Sequence, residues 1–205
     1  MENKGLVGLI IVWVAIKILN YYFSTVFLLS IILFLMFLYF LIMSVVQIRH
    51  TIKERKHISK SRIQKLTVYS LLLVISFLFP YTNTLIEKAD WHLQYTKRKA
   101  IVEQVRNYKL TPNTENKYYP WCKLPFIVPV VSNDGNEIII RRENSLYPKI
   151  SVGFIIYTGF LDHPSTMLVY SDDPFTLKDL EERIKNDPRE NWKIEKNWYR
   201  TQGML

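Results

Sequence analysis

The segment Asp162-His163-Pro164-Ser165 contains the residue types best suited to catalysis in this chain. Aspartate, histidine and serine form hydrolytic triads, and histidine titrates near neutral pH. The members of a triad converge from separate parts of a scaffold, whereas successive residues of a turn cannot point at one another in that way. Aspartate, proline and serine are also common turn residues. We therefore interpret the segment as a turn and keep Asp162 and His163 as candidate binding residues.

The carboxylates of Asp172 and Asp173, together with that of Asp162, could offer oxygen ligands to a hard cation. Their spacing matches no EF-hand loop, and Ser-Asp-Asp-Pro before a helix is a common cap. Cys122 is the only cysteine, which excludes an intramolecular disulfide and a cysteine-rich metal site. We expect Cys122 to be a small buried side chain. The sequence thus predicts no metal site and no cofactor.

The sequence contains no recognisable catalytic motif. A Gly-rich phosphate loop, G-x-S-x-G, H-E-x-x-H and a cysteine pair are all missing from it, and we therefore predict that the protein is not an enzyme. Tryptophan and tyrosine are numerous in the second half of the chain, and both are favoured at partner surfaces and membrane interfaces as well as in cores. We expect most of these rings to be core, with Trp121 and Trp198 as candidate binding residues.

Three apolar segments precede all of these residues. A helix needs about 20 apolar residues to cross about 30 Å of hydrocarbon, and residues 25–46 and 66–86 meet this length without a charge. Residues 5–22 reach it only if the Lys17 side chain extends to the interface. That first segment could also be a re-entrant hairpin or a signal peptide, although no small-residue cleavage site follows it. The pattern predicts three N-terminal transmembrane helices, with Pro80 as a kink in the third.

The net charge of +9 is concentrated in one place. Residues 49–65 carry seven basic residues against one acidic residue, whereas residues 87–205 carry 18 basic and 16 acidic residues. A nucleic-acid surface would need the basic density on the soluble part, so we exclude nucleic acid as a partner. Basic segments between spans stay in the cytoplasm. We therefore place the loop 47–65 and the N-terminus in the cytoplasm, and residues 87–205 outside it.

Residues 87–205 predict a small soluble α+β domain with a mainly antiparallel sheet. The alternating pattern of residues 149–160 predicts a strand with both faces at least partly covered. We expect Thr176 to cap the second helix. The predicted elements are a helix over 87–109, an edge strand or extended loop over 118–131, a hairpin turn over 132–136, strands over 137–142, 149–160 and 166–170, a helix over 176–186, and a closing strand over 192–202.

This organisation favours a membrane-anchored, non-enzymatic binding module. Its outer domain would recognise a protein, a peptide or an envelope component, in an immunity, sensing or assembly role, and the bilayer would be its other partner. One alternative is a ligand-gated membrane effector with a cytoplasmic ligand-binding domain. Another is an envelope enzyme with an unrecognised site.

A reporter that is active only outside the cytoplasm tests the orientation. Fused after Leu205 it should be active, and fused near Lys56 it should be silent, because the basic segment is retained inside. The opposite pattern would favour the ligand-gated effector.

A second variant replaces Arg49, Lys53, Arg55 and Lys56 by neutral residues. It should orient less uniformly while the C-terminal domain stays folded, since these charges retain the segment and do not pack.

Overall fold

The computed structural model describes residues 2–23, 25–54, 57–115, 120–143, 149–157 and 165–205. The chain forms two compact units, and each has a hydrophobic core of its own. The first unit contains Met1–Tyr21 and Val26–Lys88, and the second contains Tyr22–Thr25 and Ala89–Leu205.

The first unit is built on the helices α1 (Glu2–Tyr22), α2 (Phe27–Lys53) and α3 (Lys60–Phe77). Their shared core contains Trp13, Phe40, Tyr69 and Leu72. Many other aliphatic and aromatic side chains face outward, with exposed fractions such as 62% for Leu28 and 60% for Phe34. So much exposed apolar surface suits a hydrocarbon environment. α1 and α2 are each long and apolar enough to cross a membrane.

The predicted third span, residues 66–86, is broken in the structure. α3 ends at Phe77, and α4 (Phe79–Arg106) follows, with its segment Tyr81–Arg106 bent by 78° from α3. Proline lacks an N–H, and its ring collides with the carbonyl four residues earlier, so Pro80 cannot continue α3. The kink expected at Pro80 is instead a break between two helices, so a third span exists only if the bent pair crosses the membrane as one. α4 includes most of the helix predicted over 87–109.

The side chain of Lys17 lies inside the first unit, contrary to the expectation that it reaches the membrane interface. It is 6% exposed, and its Nζ lies 3.8 Å from the centroid of the Phe79 ring. The same Nζ donates to Oδ1 of Asn83 at 3.5 Å. A ring face and an amide oxygen both stabilise a cation. α1 therefore keeps its helical length of 21 residues with the charge covered by protein.

The basic segment between α2 and α3 is mostly helical. α2 continues to Lys53 and α3 begins at Lys60, so residues 47–53 and 60–65 of the predicted loop 47–65 are helical. Arg62 pairs with Glu54 at 2.9 Å and donates to Oε1 of Gln47 at 3.0 Å. These contacts tie the start of α3 to the end of α2.

The second unit contains a six-stranded antiparallel sheet, as the sequence predicts for the C-terminal part. Its strands are β1 (Trp121–Lys123), β2 (Glu137–Arg142), β3 (Ile150–Tyr157), β4 (Thr166–Ser171), β5 (Trp192–Glu195) and β6 (Trp198–Gln202). Their order is β1-β2-β3-β4-β6-β5, with β1 at an edge. The helices α5 (Asn133–Asn136) and α6 (Pro174–Asn186) connect strands.

Both faces of the sheet are covered, as the pattern of residues 149–160 predicts; residues 158–160 lie outside the described part. Val152, Phe154 and Ile156 belong to a core that includes Ile101 and Val105 of α4. On the opposite face, Ile155 of β3 and Met167 of β4 pack in a core that includes Leu180 of α6. β3 is therefore buried on both sides.

Two connections differ from the expected ones. The turn over 132–136 is the short helix α5, which ends with Gly135 at φ +89° and Asn136 at φ +59°. The closing strand over 192–202 is a hairpin of β5 and β6, with Asn197 at φ +67° in its turn. Asparagine tolerates positive φ better than most residues, which favours a turn at this position.

A fragment containing residues 88–205 should fold cooperatively and remain monomeric, because its strands and helices form their own cores. Phe154→Asp should abolish this fold, since an unpaired buried carboxylate costs several kcal/mol of a total stability of about 5–15 kcal/mol. Phe154 is fully buried and stacks on Trp198 at a centroid distance of 5.9 Å. Urea unfolding followed by circular dichroism measures both outcomes.

Glu181→Asp on the exposed side of α6 is the control and should unfold as the wild type does. A molten or aggregated wild-type fragment would show that the second unit depends on the first.

Candidate functional site

Two of the four candidate binding residues, Trp121 and Trp198, are core residues of the second unit. Trp121 is 8% exposed and Trp198 is 3% exposed. The Trp198 ring has neighbouring rings at centroid distances of 5.2 Å for Trp91 and 5.4 Å for Tyr170. Asp162 and His163 lie outside the described residues. A binding role for these four residues stays a prediction.

A pocket of about 680 Å³ lies between α6 and the start of β3, and we call it the α6 pocket. It is lined by residues from β2, β3, α6 and the closing segment 202–205. Residues that define it are Arg141, Lys149, Ser151, Phe175, Arg183 and Leu205.

Two guanidinium groups of the α6 pocket hold the closing segment. Arg141 donates to the backbone oxygen of Leu205. Arg183 donates to the backbone oxygens of Gln202 at 3.2 Å and Met204 at 3.1 Å, and it pairs with Asp179 at 2.9 Å. A guanidinium carries five N–H donors in a fixed plane. Each arginine can therefore hold the segment and still bind a further acceptor.

The N-terminus of α6 is capped by Asp173, not by the expected Thr176. Its carboxylate accepts hydrogen bonds from the Thr176 N–H at 2.9 Å, the Thr176 hydroxyl at 2.6 Å and the Phe175 N–H at 3.4 Å. Burial alone would raise the pKa of the Asp173 carboxyl, but these hydrogen bonds outweigh burial and lower it below its ordinary value. A carboxylate with a lowered pKa is a weak general base near neutral pH. Asp173 therefore serves as a cap.

A hydroxyl network continues from this cap into the sheet. The Ser151 and Ser171 hydroxyl oxygens lie 2.8 Å apart, and Ser151 donates to Thr176 Oγ1 at 3.1 Å. Ser151 is 1% exposed, and Ser171 is fully buried. Because these hydroxyls bond to one another, they stabilise the junction between β3, β4 and α6.

Phe175 is the strongest candidate contact residue of the α6 pocket. Its side chain is 81% exposed, although it sits in the first turn of a helix whose aliphatic residues, Leu177, Leu180 and Ile184, pack on the sheet. An exposed aromatic ring beside arginines is typical of the residues that dominate protein interfaces. The exposure of Phe175 could not be predicted from the sequence, because helical spacing alone does not tell which apolar side chain of a first turn faces outward.

A second exposed apolar feature is the loop between β1 and α5, residues 124–131, which we call the 127 loop. Ile127 is 77% exposed and Val128 is 79% exposed. The side chain of Asn136 is fully buried beneath the loop and donates to the backbone oxygens of Ile127 and Pro129, each at 2.9 Å. Its Oδ1 accepts from the Val131 N–H at 2.8 Å. One buried amide therefore fixes the backbone of an uncharged loop.

The remaining groups of chemical interest are the Cys122 thiol and possible clusters of metal ligands. Cys122 is fully buried, as expected. Burial raises the pKa of its thiol, and the Arg142 charge lowers it to a smaller extent, so the thiol stays protonated at neutral pH. Within the described ranges, no group of three or more His, Cys, Asp or Glu side chains is placed to hold a metal ion.

Comparison with known proteins gives no relative: no protein-family model, no curated protein and no solved structure matches this chain.

Asp173→Ala should destabilise the 88–205 fragment by about 1 kcal/mol at pH 7, because the helix loses its N-cap. Since the folded pKa of Asp173 lies below the ordinary 3.8, the ionised cap stabilises above that value and its effect disappears as the pH falls through the folded pKa. Urea unfolding from pH 7 to pH 2 should show the variant and wild-type midpoints converging at the acid end.

Asp173→Asn is the matched control, because asparagine caps helices about as well as aspartate. Equal stability of the Asp173→Ala variant and the wild type at pH 7 would contradict the assigned cap.

Proposed function

We propose that this chain is a membrane-anchored, non-enzymatic binding module that recognises a protein or peptide partner through the α6 pocket. The observation that carries the proposal is that the strongly exposed Phe175 ring lines the same pocket as Arg141 and Arg183. The two apolar helices α1 and α2 support the anchoring role.

The composition of the α6 pocket favours a segment with an apolar side chain next to a carboxylate. The apolar side chain would pack on Phe175, and the carboxylate would accept from the arginine N–H groups. Lys149 adds a positive charge to the lining. Of the three acidic lining residues, Asp173 is engaged with the start of α6 and Asp179 with Arg183, whereas Glu143 adds a negative charge to the lining.

Binding fits this pocket better than catalysis. A volume of about 680 Å³ lies within the usual range of about 300–1,000 Å³ for ligand sites. Its hydroxyls are bonded to one another, and Asp173 has a pKa that makes it a poor base. The concentration of positive charge in residues 49–65 supports a second unit outside the cytoplasm, where a partner or an envelope component would be met.

Photo-crosslinking in intact cells that express the full chain tests the proposal. A photoreactive phenylalanine analogue at position 175 should give a discrete adduct with one partner. The matched position is Leu93, an apolar residue of α4 that is 73% exposed and does not line the α6 pocket. The same analogue there should give no such adduct.

Once the partner is isolated, Phe175→Ala should weaken its affinity about tenfold or more, as loss of an interface aromatic does. Leu93→Ala should leave the affinity unchanged, and both variants should unfold as the wild type does, because both side chains are exposed. Identical adducts at the two positions, or an unchanged affinity for Phe175→Ala, would refute the α6 pocket as the binding site.

A further inference from the structure

We infer that the 127 loop is a lipid-inserting element, whose Ile127 and Val128 side chains enter the surface of the bilayer. The 127 loop does not line the α6 pocket, and its insertion does not depend on a protein partner.

The tip of the loop is apolar and uncharged. Residues 126–130 read Phe-Ile-Val-Pro-Val, and the two central side chains are more than three-quarters exposed. Two consecutive and strongly exposed aliphatic side chains gain free energy when an apolar environment covers them.

The loop is held in shape from below. Asn136 Nδ2 donates to the backbone oxygens of Phe126, Ile127 and Pro129 at 3.2, 2.9 and 2.9 Å. Its Oδ1 accepts from the N–H groups of Val131 and Ser132. Insertion of a loop into hydrocarbon is costly when its backbone groups lose water without a replacement. In the 127 loop, the buried Asn136 side chain already takes the place of water for three backbone carbonyls before any insertion.

The base of the loop is also fixed to the rest of the unit. Arg98 is 1% exposed and donates from Nε to the Val131 backbone oxygen at 2.9 Å. Asn133 donates to the backbone oxygen of Ile156, and the Ser132 hydroxyl accepts from the Ile155 N–H at 2.9 Å. The two aliphatic side chains are therefore presented by a rigid base, so their insertion needs little further ordering.

The size of the exposed tip favours lipid over protein. A specific protein interface uses about 20–30 residues on each side, whereas this loop offers two strongly exposed apolar side chains. Such a small contact would not hold a free partner. It is sufficient for contact with a bilayer, because the apolar helices tether the same chain to that bilayer. The tether raises the effective concentration of the lipid surface.

The test uses the full chain reconstituted into vesicles of phosphatidylethanolamine and phosphatidylglycerol, with Val128→Cys carrying an environment-sensitive fluorophore. Cys122 is buried, so the label attaches at position 128. Lipids with a doxyl quencher on the acyl chain should quench this label severalfold more than a label on Glu181→Cys, which lies on the exposed side of α6. Aqueous iodide should show the reverse order.

Ile127→Asp in the Val128→Cys background provides a second measurement. A charge next to the label should reduce its quenching by doxyl lipid severalfold, while the thermal unfolding of the protein stays the same because Ile127 is exposed. Doxyl quenching at position 128 that is no stronger than at position 181 would overturn the inference. Protection from iodide without doxyl quenching would also overturn it, because a second copy of the chain would then cover the loop.

Discussion

β3 is the strand on which the second unit depends, because it pairs with a neighbour along each edge and is buried on both faces. One face packs with α4 and the other with α6. Gly153 marks the tightest point: a Cβ there would lie 2.5 Å from Met167 Cε and 2.9 Å from Leu205 Cδ1. The second face is therefore complete only when the closing segment is in place, which explains why Arg141 and Arg183 both bind that segment.

The buried pair of Asp90 and Arg98 connects this core to the 127 loop. Arg98 Nη2 lies 2.6 Å from Asp90 Oδ2, each side chain is 1% exposed, and the same guanidinium holds the Val131 backbone oxygen. A buried charge must keep its partners, because loss of one partner costs several kcal/mol. The buried pair on α4 thus restricts the base of the 127 loop, so a rigid element presents this loop.

Several elements were predictable because their signals are local. The turn signal over 132–136 placed β2 at 137–142, and the prolines around residues 120–129 indicated an edge strand or an extended loop, of which residues 121–123 form the edge strand β1. The errors occurred where a local signal had competing outcomes. Pro80 was expected to kink a helix and instead lies at the start of a new one, and Asp173 took the capping position expected for Thr176. Both residue types allow either outcome, and packing selects one.

The sequence by itself determined the apolar helices at the N-terminus, the position of the positive charge and the antiparallel sheet, because length, composition and alternation act within a single element. Only the tertiary structure decided which apolar side chains are exposed. Trp121 and Trp198 are buried because other elements pack over them, whereas Phe175 and Ile127 are left uncovered. The role of Asn136 is tertiary for the same reason: its amide binds carbonyls seven to ten residues away along the chain, and only the folded loop brings them within reach.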